Sequence, residues 1–207
     1  MPESTCHVRS LFGLSLLLAP LLFTASSLFW TSSGEYGVVG GALLVFGSLF
    51  WIVAFAALFG ALRSRTPRYA VWGWLVAAYG AVCGGAAFAF QGMFVEMHGA
   101  THAESLAGLA RYPVVANAIF WIGGPAFPIS LLVLGLILAR TRVAPWWAGA
   151  MLALGGALFP VARIPRFEGF ALGVDLLMLI PAAYFGFNML RGRQLNGLRL
   201  PLRASFE

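Results

Sequence analysis

The chain has 207 residues, of which 60% are hydrophobic and only 10% are charged. Soluble domains carry about 25% charged residues, so this composition excludes a soluble globular domain and indicates a helical membrane protein. The formal net charge of +6 comes from arginine alone, because the sequence contains no lysine. The arginines cluster near the ends of apolar runs and do not alternate with aromatic residues. They therefore predict membrane topology and anionic lipid head groups as partners, and no nucleic-acid binding.

Six apolar runs are long enough to be membrane-spanning helices. Short loops connect them, except for a longer outer loop at 93–113. A cytoplasmic tail at 1–10 precedes the spans, and a basic cytoplasmic tail at 191–207 follows them. The predicted fold is an all-α membrane protein, a compact bundle of six transmembrane helices within 11–190. The predicted spans cover 11–30, 38–62, 70–92, 114–139, 146–162 and 170–190.

The distribution of arginine predicts the orientation of the bundle. Most arginines fall at one set of span ends, whereas the opposite loops hold few arginines and several glutamates. The positive-inside rule then places both termini in the cytoplasm, which an even number of spans also requires. We expect a multi-pass protein of the cell inner membrane, surrounded by the lipid bilayer. The arginines at the predicted inner end are Arg9, Arg63, Arg65, Arg68, Arg140, Arg142, Arg191, Arg193, Arg199 and Arg203.

The fourth predicted span contains residues that break helices near its middle. Pro125 and Pro128 have no backbone N–H, so carbonyls about one turn earlier lose their partners. Gly123 and Gly124 precede them directly. An unpaired carbonyl in hydrocarbon is costly unless neighbouring helices or trapped water repair it. We therefore expect this break to lie inside the bundle.

Three pairs of glycines four residues apart predict close helix packing, because this spacing lets helix backbones approach one another. Such spacings also arise by chance in a glycine-rich chain, so they indicate a compact bundle and not a particular dimer. The pairs are Gly37 with Gly41, Gly80 with Gly84, and Gly169 with Gly173.

Asp175 is the one carboxylate inside a predicted span. A charge at the centre of a bilayer costs at least about 2.5 kcal/mol, so Asp175 is expected to have a partner. Arg163 ends the preceding span, and its long side chain can reach inward to the carboxylate. The pair is interpreted either as a structural ion pair or as a substrate or proton site.

Two further polar residues lie at the same predicted outer side, Gln91 at the end of the third span and Asn117 at the start of the fourth. Together with the Arg163 and Asp175 pair they predict an outward-facing binding pocket. The alternative for each residue is a hydrogen bond between helices. The predicted floor of the pocket is Gly123, Gly124 and Pro125.

The outer loop contains a possible metal site formed by His98, His102 and Glu104. Two histidines four residues apart on one helix face can bind zinc, although Gly99 between them weakens a continuous helix. Thr101 and Glu104 also match a capping box, which predicts a short helix starting at about His102. The alternative to a metal site is therefore an interfacial helix with solvent-exposed histidines.

Several common kinds of site are absent from the sequence. Without lysine there is no Schiff-base chemistry, and without histidine inside a span a haem ligated by histidine in the membrane is not expected. The sequence has no P-loop, no paired intramembrane aspartates and no nucleophile elbow. We expect no cofactor.

These observations favour a non-enzymatic membrane protein. It is interpreted either as a binding or permeation module for a small neutral or apolar solute, or as an accessory subunit of a membrane complex. Its partner would be another membrane protein or a second copy of itself. The alternative is an enzyme of the outer leaflet that uses Asp175 and Arg163, or the metal site at His98, His102 and Glu104.

The segment from Pro128 to Pro160 contains an apolar helix, the turn Arg140-Thr141-Arg142 and a second apolar helix. It resembles a segment common in small bacterial polytopic membrane proteins of unknown function, with six helices. The resemblance implies a location in the bacterial inner membrane and no particular activity.

Overall fold

The computed structural model describes residues 2–31, 35–165 and 167–192. Within these ranges the chain is helical and contains no strand. Almost all of the predicted basic tail at 191–207 lies outside the described residues. Seven helices lie within them: α1 (Pro2–Ser27), α2 (Gly37–Leu62), α3 (Pro67–His98), α4 (His102–Ala110), α5 (Pro113–Thr141), α6 (Trp146–Arg163) and α7 (Glu168–Leu190).

Five of these helices, α1, α2, α3, α5 and α7, are long and apolar enough to cross a membrane. The chain is therefore a multi-pass integral membrane protein. The remaining predicted span corresponds to α6, whose 18 residues extend about 27 Å at 1.5 Å per residue. Its hydropathy is lowered by the two tryptophans at its start and by Pro160 and Arg163 near its end. Length and composition alone thus identify five spans and not six.

The six long helices form a closed ring in chain order. Each of α1, α2, α3, α5, α6 and α7 packs against the next, and α7 returns to α1. Gly13 near the start of α1 lies against Gly186 and Leu190 near the end of α7. The start of α1 and the end of α7 consequently lie at the same end of the bundle.

The two ends of the bundle carry different charges, and we name them accordingly. The arginine end is where α1 starts and α7 ends, and the acidic end is opposite, where the short helix α4 lies. Both ends are defined by residues of the described ranges. The arginine end carries Arg9, Arg63, Arg65, Arg68, Arg140, Arg142 and Arg191, and the acidic end carries Glu35, Glu96, Glu104, Glu168 and Asp175, together with Arg111 and Arg163.

An aromatic cluster fills the centre of the ring. Its middle is Phe127 of α5, which is fully buried. Rings from α1, α2 and α6 surround it at distances typical of favourable aromatic pairs, so the bundle is solid at this level. The ring centroid of Phe127 lies 5.3 Å from that of Phe23, 5.6 Å from Trp51, 5.9 Å from Phe55 and 5.4 Å from Phe159.

Glycines bring the backbones of α5 and α6 into direct contact. A Cβ atom added to Gly135 would lie 2.4 Å from the backbone nitrogen of Ala153. A Cβ atom added to Gly149 would lie 2.6 Å from the carbonyl oxygen of Gly135. Since both distances are shorter than any normal contact, only glycine fits at these positions. The helix α6 is therefore packed into the ring as tightly as its longer neighbours.

The helix α5 continues through Pro125 and Pro128 and contains a π-helical segment at Asn117–Gly123, directly before the predicted break. The adjacent helix α3 contains a second π-helical segment at Val82–Ala87. The hydroxyl of Tyr79 on α3 donates a hydrogen bond to the backbone carbonyl of Ala118. A neighbouring helix thus supplies a donor to one carbonyl of the π-helical segment.

Close packing at this level depends on the glycine pair predicted in α3. A Cβ atom on Gly80 would lie 2.4 Å from the backbone nitrogen of Phe127, and one on Gly84 would lie 2.7 Å from the carbonyl oxygen of Gly124. By contrast, a Cβ atom on Gly169 or Gly173 of α7 would meet no atom of another helix within 4 Å. The glycine spacing of α3 therefore serves packing inside the chain, whereas that of α7 leaves a helix backbone uncovered.

Candidate functional site at the acidic end

The predicted contact between Arg163 and Asp175 is present at the acidic end. Asp175 lies about two turns into α7 and is fully buried, and Arg163 is the last residue of α6. Nη2 of Arg163 donates hydrogen bonds to both carboxylate oxygens of Asp175, at 2.7 Å and 3.0 Å. The sequence placed these two residues together because a short loop joins their helices.

Ser27, the last residue of α1, completes a network of three side chains. Nη1 of Arg163 donates to Oγ of Ser27 at 2.8 Å. The Ser27 hydroxyl in turn donates to Oδ2 of Asp175 at 2.8 Å. The network therefore ties together the acidic ends of α1, α6 and α7. The sequence offered no specific signal for Ser27, since serines at helix ends are common.

Aromatic rings enclose the guanidinium group of Arg163. Its central carbon lies 5.3 Å from the ring centroid of Trp30, 5.7 Å from that of Tyr36 and 4.9 Å from that of Phe159. Cations are attracted to aromatic faces at such distances. The Arg163 side chain is only 10% exposed, so the network is closed to solvent. This geometry matches the structural ion pair among the interpretations of the sequence.

Gln91 and Asn117 do not join the Arg163 and Asp175 pair. The side-chain amide of Gln91 donates to the hydroxyl of Ser105 on α4 at 3.1 Å. Asn117 begins the π-helical segment of α5 and is exposed. These four residues therefore do not form one hydrogen-bonded group, and the pocket stays a prediction. A π-helical segment changes which residues of a helix share a face, and sequence spacing alone does not reveal it.

The predicted floor of that pocket is also occupied by protein. Gly123 is buried against the side chain of Cys83. Gly124 lies against the ring of Phe88, and Pro125 is exposed on the outside of the bundle. These residues thus shape the contact between α3 and α5 and do not line the network of Arg163.

The predicted capping box at the start of α4 is confirmed. The backbone N–H of Glu104 donates to Oγ1 of Thr101 at 3.2 Å, and the Thr101 N–H donates to Oε2 of Glu104 at 2.7 Å. The Thr101 hydroxyl also donates to the same carboxylate oxygen at 2.9 Å. The hydrogen bond from the Thr101 backbone N–H, and to a smaller extent the one from its hydroxyl, holds the pKa of the Glu104 carboxyl below its ordinary value.

The three predicted metal ligands have separate partners. Nδ1 of His98 lies 2.9 Å from the carbonyl oxygen of Phe94, whereas Nδ1 of His102 lies 2.6 Å from Oε1 of Glu35. Gly99 ends α3 with a φ of +60°, so the histidines belong to different helices. Within the described ranges, no group of three or more His, Cys, Asp or Glu side chains is arranged to hold a metal ion.

A cavity of about 180 Å³ lies beside Glu35 at the acidic end. The carboxylate of Glu96 accepts a hydrogen bond from the backbone N–H of Val38, and Glu35 is buried. The sequence predicted both glutamates only as loop charges, because they lie 61 positions apart in the chain. The cavity is lined by Thr31, Glu35, Val95, Glu96, Gly99 and Ala100.

No protein-family model, curated protein or solved structure matches this chain. The fold class and the membrane character of the chain are therefore inferred from its own helices, and its function is inferred from the geometry of its own residues.

Proposed function

We propose that the chain is a six-helix protein of a bacterial inner membrane that acts as a non-enzymatic accessory subunit and not as a pathway for solutes. The observation that carries this proposal is the aromatic cluster around Phe127. A solute path along the bundle axis would have to displace five large side chains that pack against one another. Binding of a partner to the outer surface of the bundle leaves these five side chains in place.

The packing of α6 supports the sixth span. It lies between α5 and α7, and its glycines contact the α5 backbone at Gly135 and around Pro128 and Leu132. A helix of about 27 Å nearly matches the hydrocarbon thickness of about 30 Å. Six crossings also agree with the start of α1 and the end of α7 lying together at the arginine end. The positive-inside rule favours a cytoplasmic location for that end.

The uncovered stretch of α7 at the acidic end supports the accessory role. Gly169 and Gly173 are exposed and have nothing packed over them. Small residues at this spacing allow the backbone of a second helix to approach closely. The partner would be another membrane protein or a second copy of this chain.

The enzyme alternative is less well supported by the geometry. A catalytic carboxylate has to reach its substrate, whereas Asp175 is fully buried and binds Arg163 and Ser27. The proposed metal version requires His98, His102 and Glu104 to converge, and each of them has a different partner. The alternative would therefore require the acidic end to rearrange before any reaction.

A second candidate function is the binding of a small solute at the acidic end. The cavity beside Glu35 favours it, because its volume suits a molecule of several heavy atoms. The carboxylate of Glu96 in its lining favours a positively charged solute over the neutral or apolar solute expected from the sequence. Stabilisation of the purified protein by a panel of small amines would test this candidate, with Glu96→Gln as the variant that loses the effect.

The permeation part of the proposal is tested in proteoliposomes. We expect stopped-flow swelling in glycerol at the rate of protein-free liposomes, because the aromatic cluster closes the axis. Faster swelling that Phe127→Trp abolishes would contradict the proposal and favour a permeation module.

The accessory role is tested by photo-crosslinking in intact cells. A photoreactive amino acid at Gly173 is expected to give one discrete adduct, whose mass distinguishes a second copy from another protein. The matched control is Ile129 on α5, which is exposed but carries a large side chain and is expected to face lipid. The absence of an adduct at Gly173, or equal adducts at both positions, would contradict the proposal.

A further inference from the structure

The arginines of the arginine end have no acidic partner in the described part of the chain. The ion pair of Arg163 with Asp175 and the contact of His102 with Glu35 both lie at the acidic end. Arg68 and Arg140 are exposed. Among the side chains that the structure describes, no carboxylate neutralises the charges of these two arginines.

The packing of α3 against α5 places Arg68 and Arg140 at the same level. The two helices run in opposite directions and touch where Gly80 meets Phe127. Arg68 lies 12 residues before Gly80, and Arg140 lies 13 residues after Phe127. Nearly equal distances along neighbouring antiparallel helices place the two arginines at about the same level of the arginine end.

Two guanidinium groups at one level of the bundle form a positively charged position that attracts an anion. Phosphate suits this position, because the planar guanidinium group can donate two parallel hydrogen bonds to phosphate oxygens. A free anion and a lipid head group share this chemistry, and the surrounding surface discriminates between them.

The neighbours of both arginines favour a lipid. Trp72 follows Arg68 by one turn of α3 and is 68% exposed, and Leu136 precedes Arg140 by one turn of α5 and is 47% exposed. Residues four apart lie on the same helix face. Each arginine thus stands at the end of an apolar stripe directed towards the middle of the span. Tryptophan beside arginine is typical of the level of lipid head groups.

We propose that Arg68 and Arg140 form a binding site for the phosphate group of an anionic membrane lipid, whose acyl chains lie along α3 and α5. The site goes beyond the proposed function and does not depend on it, because it requires neither a protein partner nor the absence of a solute path.

Native mass spectrometry of the full chain, released from nanodiscs of phosphatidylcholine and phosphatidylglycerol, tests the site. We expect the protein to retain phosphatidylglycerol in preference to phosphatidylcholine. Arg68→Gln and Arg140→Gln are each expected to weaken this retention about fivefold, since an arginine near an anionic surface contributes about 1 kcal/mol. Arg111→Gln is the matched control, because Arg111 is equally exposed but lies at the acidic end, and it is expected to have no effect.

An equal loss in Arg111→Gln, or full retention in Arg68→Gln and Arg140→Gln, would overturn the proposal. Displacement of the lipid by millimolar inorganic phosphate would assign the site to a soluble anion and also overturn it. Should a glutamine variant fail to purify folded, Arg68→Lys or Arg140→Lys replaces it. Lysine keeps the charge but not the paired hydrogen bonds, so at least a twofold loss is expected, and unchanged retention would contradict the site.

Discussion

The acidic end and the arginine end of this bundle differ in whether their charged side chains have partners within the protein. At the acidic end, Asp175 is paired with Arg163, and the other described carboxylates that have partners bind His102, Thr101 or a backbone N–H. At the arginine end, none of the arginines in the described part of the chain forms an ion pair. The paired charges of the acidic end therefore hold helices together, whereas the arginines of the arginine end are available to bind lipid or other molecules.

Removing the buried carboxylate is expected to have the largest effect on stability. Asp175→Asn leaves the guanidinium group of Arg163 almost buried and without its counter-charge, which costs about 3 kcal/mol. The free energy of unfolding, measured by steric trapping in bicelles, provides the value. The double variant Asp175→Leu with Arg163→Met is the control, because replacing both charges by apolar groups is often neutral. If Asp175→Asn were as stable as the wild type, the ion pair at the acidic end would not hold the helices together, and the difference between the two ends would be lost.

The contact between α3 and α5 in the middle of the bundle provides a reference value for the stability changes measured at the two ends. Gly80→Ala places a methyl group against the backbone of Phe127 and is expected to destabilise the protein by about 1–3 kcal/mol. Gly60→Ala is the matched control, since Gly60 is also helical but has nothing within 4 Å of the added carbon. That variant is expected to be neutral or up to about 1 kcal/mol more stable. Thermal unfolding of both in one detergent distinguishes them, and equal destabilisation would argue against the α3–α5 contact.

A smaller and local effect is expected at the capping box of α4. Thr101→Ala removes the N-cap, which typically costs about 1 kcal/mol of helix stability. Hydrogen exchange of the α4 amides should report the loss, and the amides of α7 should stay unchanged.

The hydrogen bonds between Thr101 and Glu104 also make the stability of α4 depend on pH. The pKa of Glu104 is lowered in the folded state by hydrogen bonds from Thr101, so its contribution to stability is present above the unfolded pKa of about 4.3. It is lost as the pH falls through the lower, folded value. Faster exchange in α4 below about pH 4 is therefore expected for the wild type and not for Glu104→Gln. The same acid response in both proteins would contradict this assignment.

The smallest effect is expected at the arginine end. Arg65→Gln removes an exposed and unpaired charge, so the unfolding free energy in neutral detergent should change by less than about 0.5 kcal/mol. A loss as large as that of Asp175→Asn would show that this arginine has a structural partner, and the difference between the two ends would disappear.

The sequence predicted the features that depend on local chemistry. Runs of apolar residues identified the long helices, five of which are long and apolar enough to cross a membrane. Thr101 and Glu104 identified the cap of α4, and a short loop placed Arg163 near Asp175. The sequence also predicted an irregularity in the fourth span, and the π-helical segment of α5 ends at Gly123. Each of these follows from residues that are close together in the chain.

The sequence could not predict features that depend on distant packing. Asn117, the first residue of the π-helical segment, is exposed, and Gln91 donates to Ser105 of α4. Ser27 joins Arg163 and Asp175 only because α7 closes the ring against α1. Glu35 and Glu96 line one cavity for the same kind of reason, since the loop between α1 and α2 meets the end of α3 in space and not in sequence.

Thiol labelling of the two residues that flank α6 tests the six-span bundle most directly. Single cysteines are introduced as Arg142→Cys and Glu168→Cys in a chain whose Cys6 and Cys83 are replaced by alanine. With a membrane-impermeant reagent, we expect Glu168→Cys to react in intact cells and Arg142→Cys to react only after the membrane is opened. Reaction of both from the same side would contradict α6 as a span, and reaction of Arg142→Cys alone from outside would contradict the orientation of the arginine end.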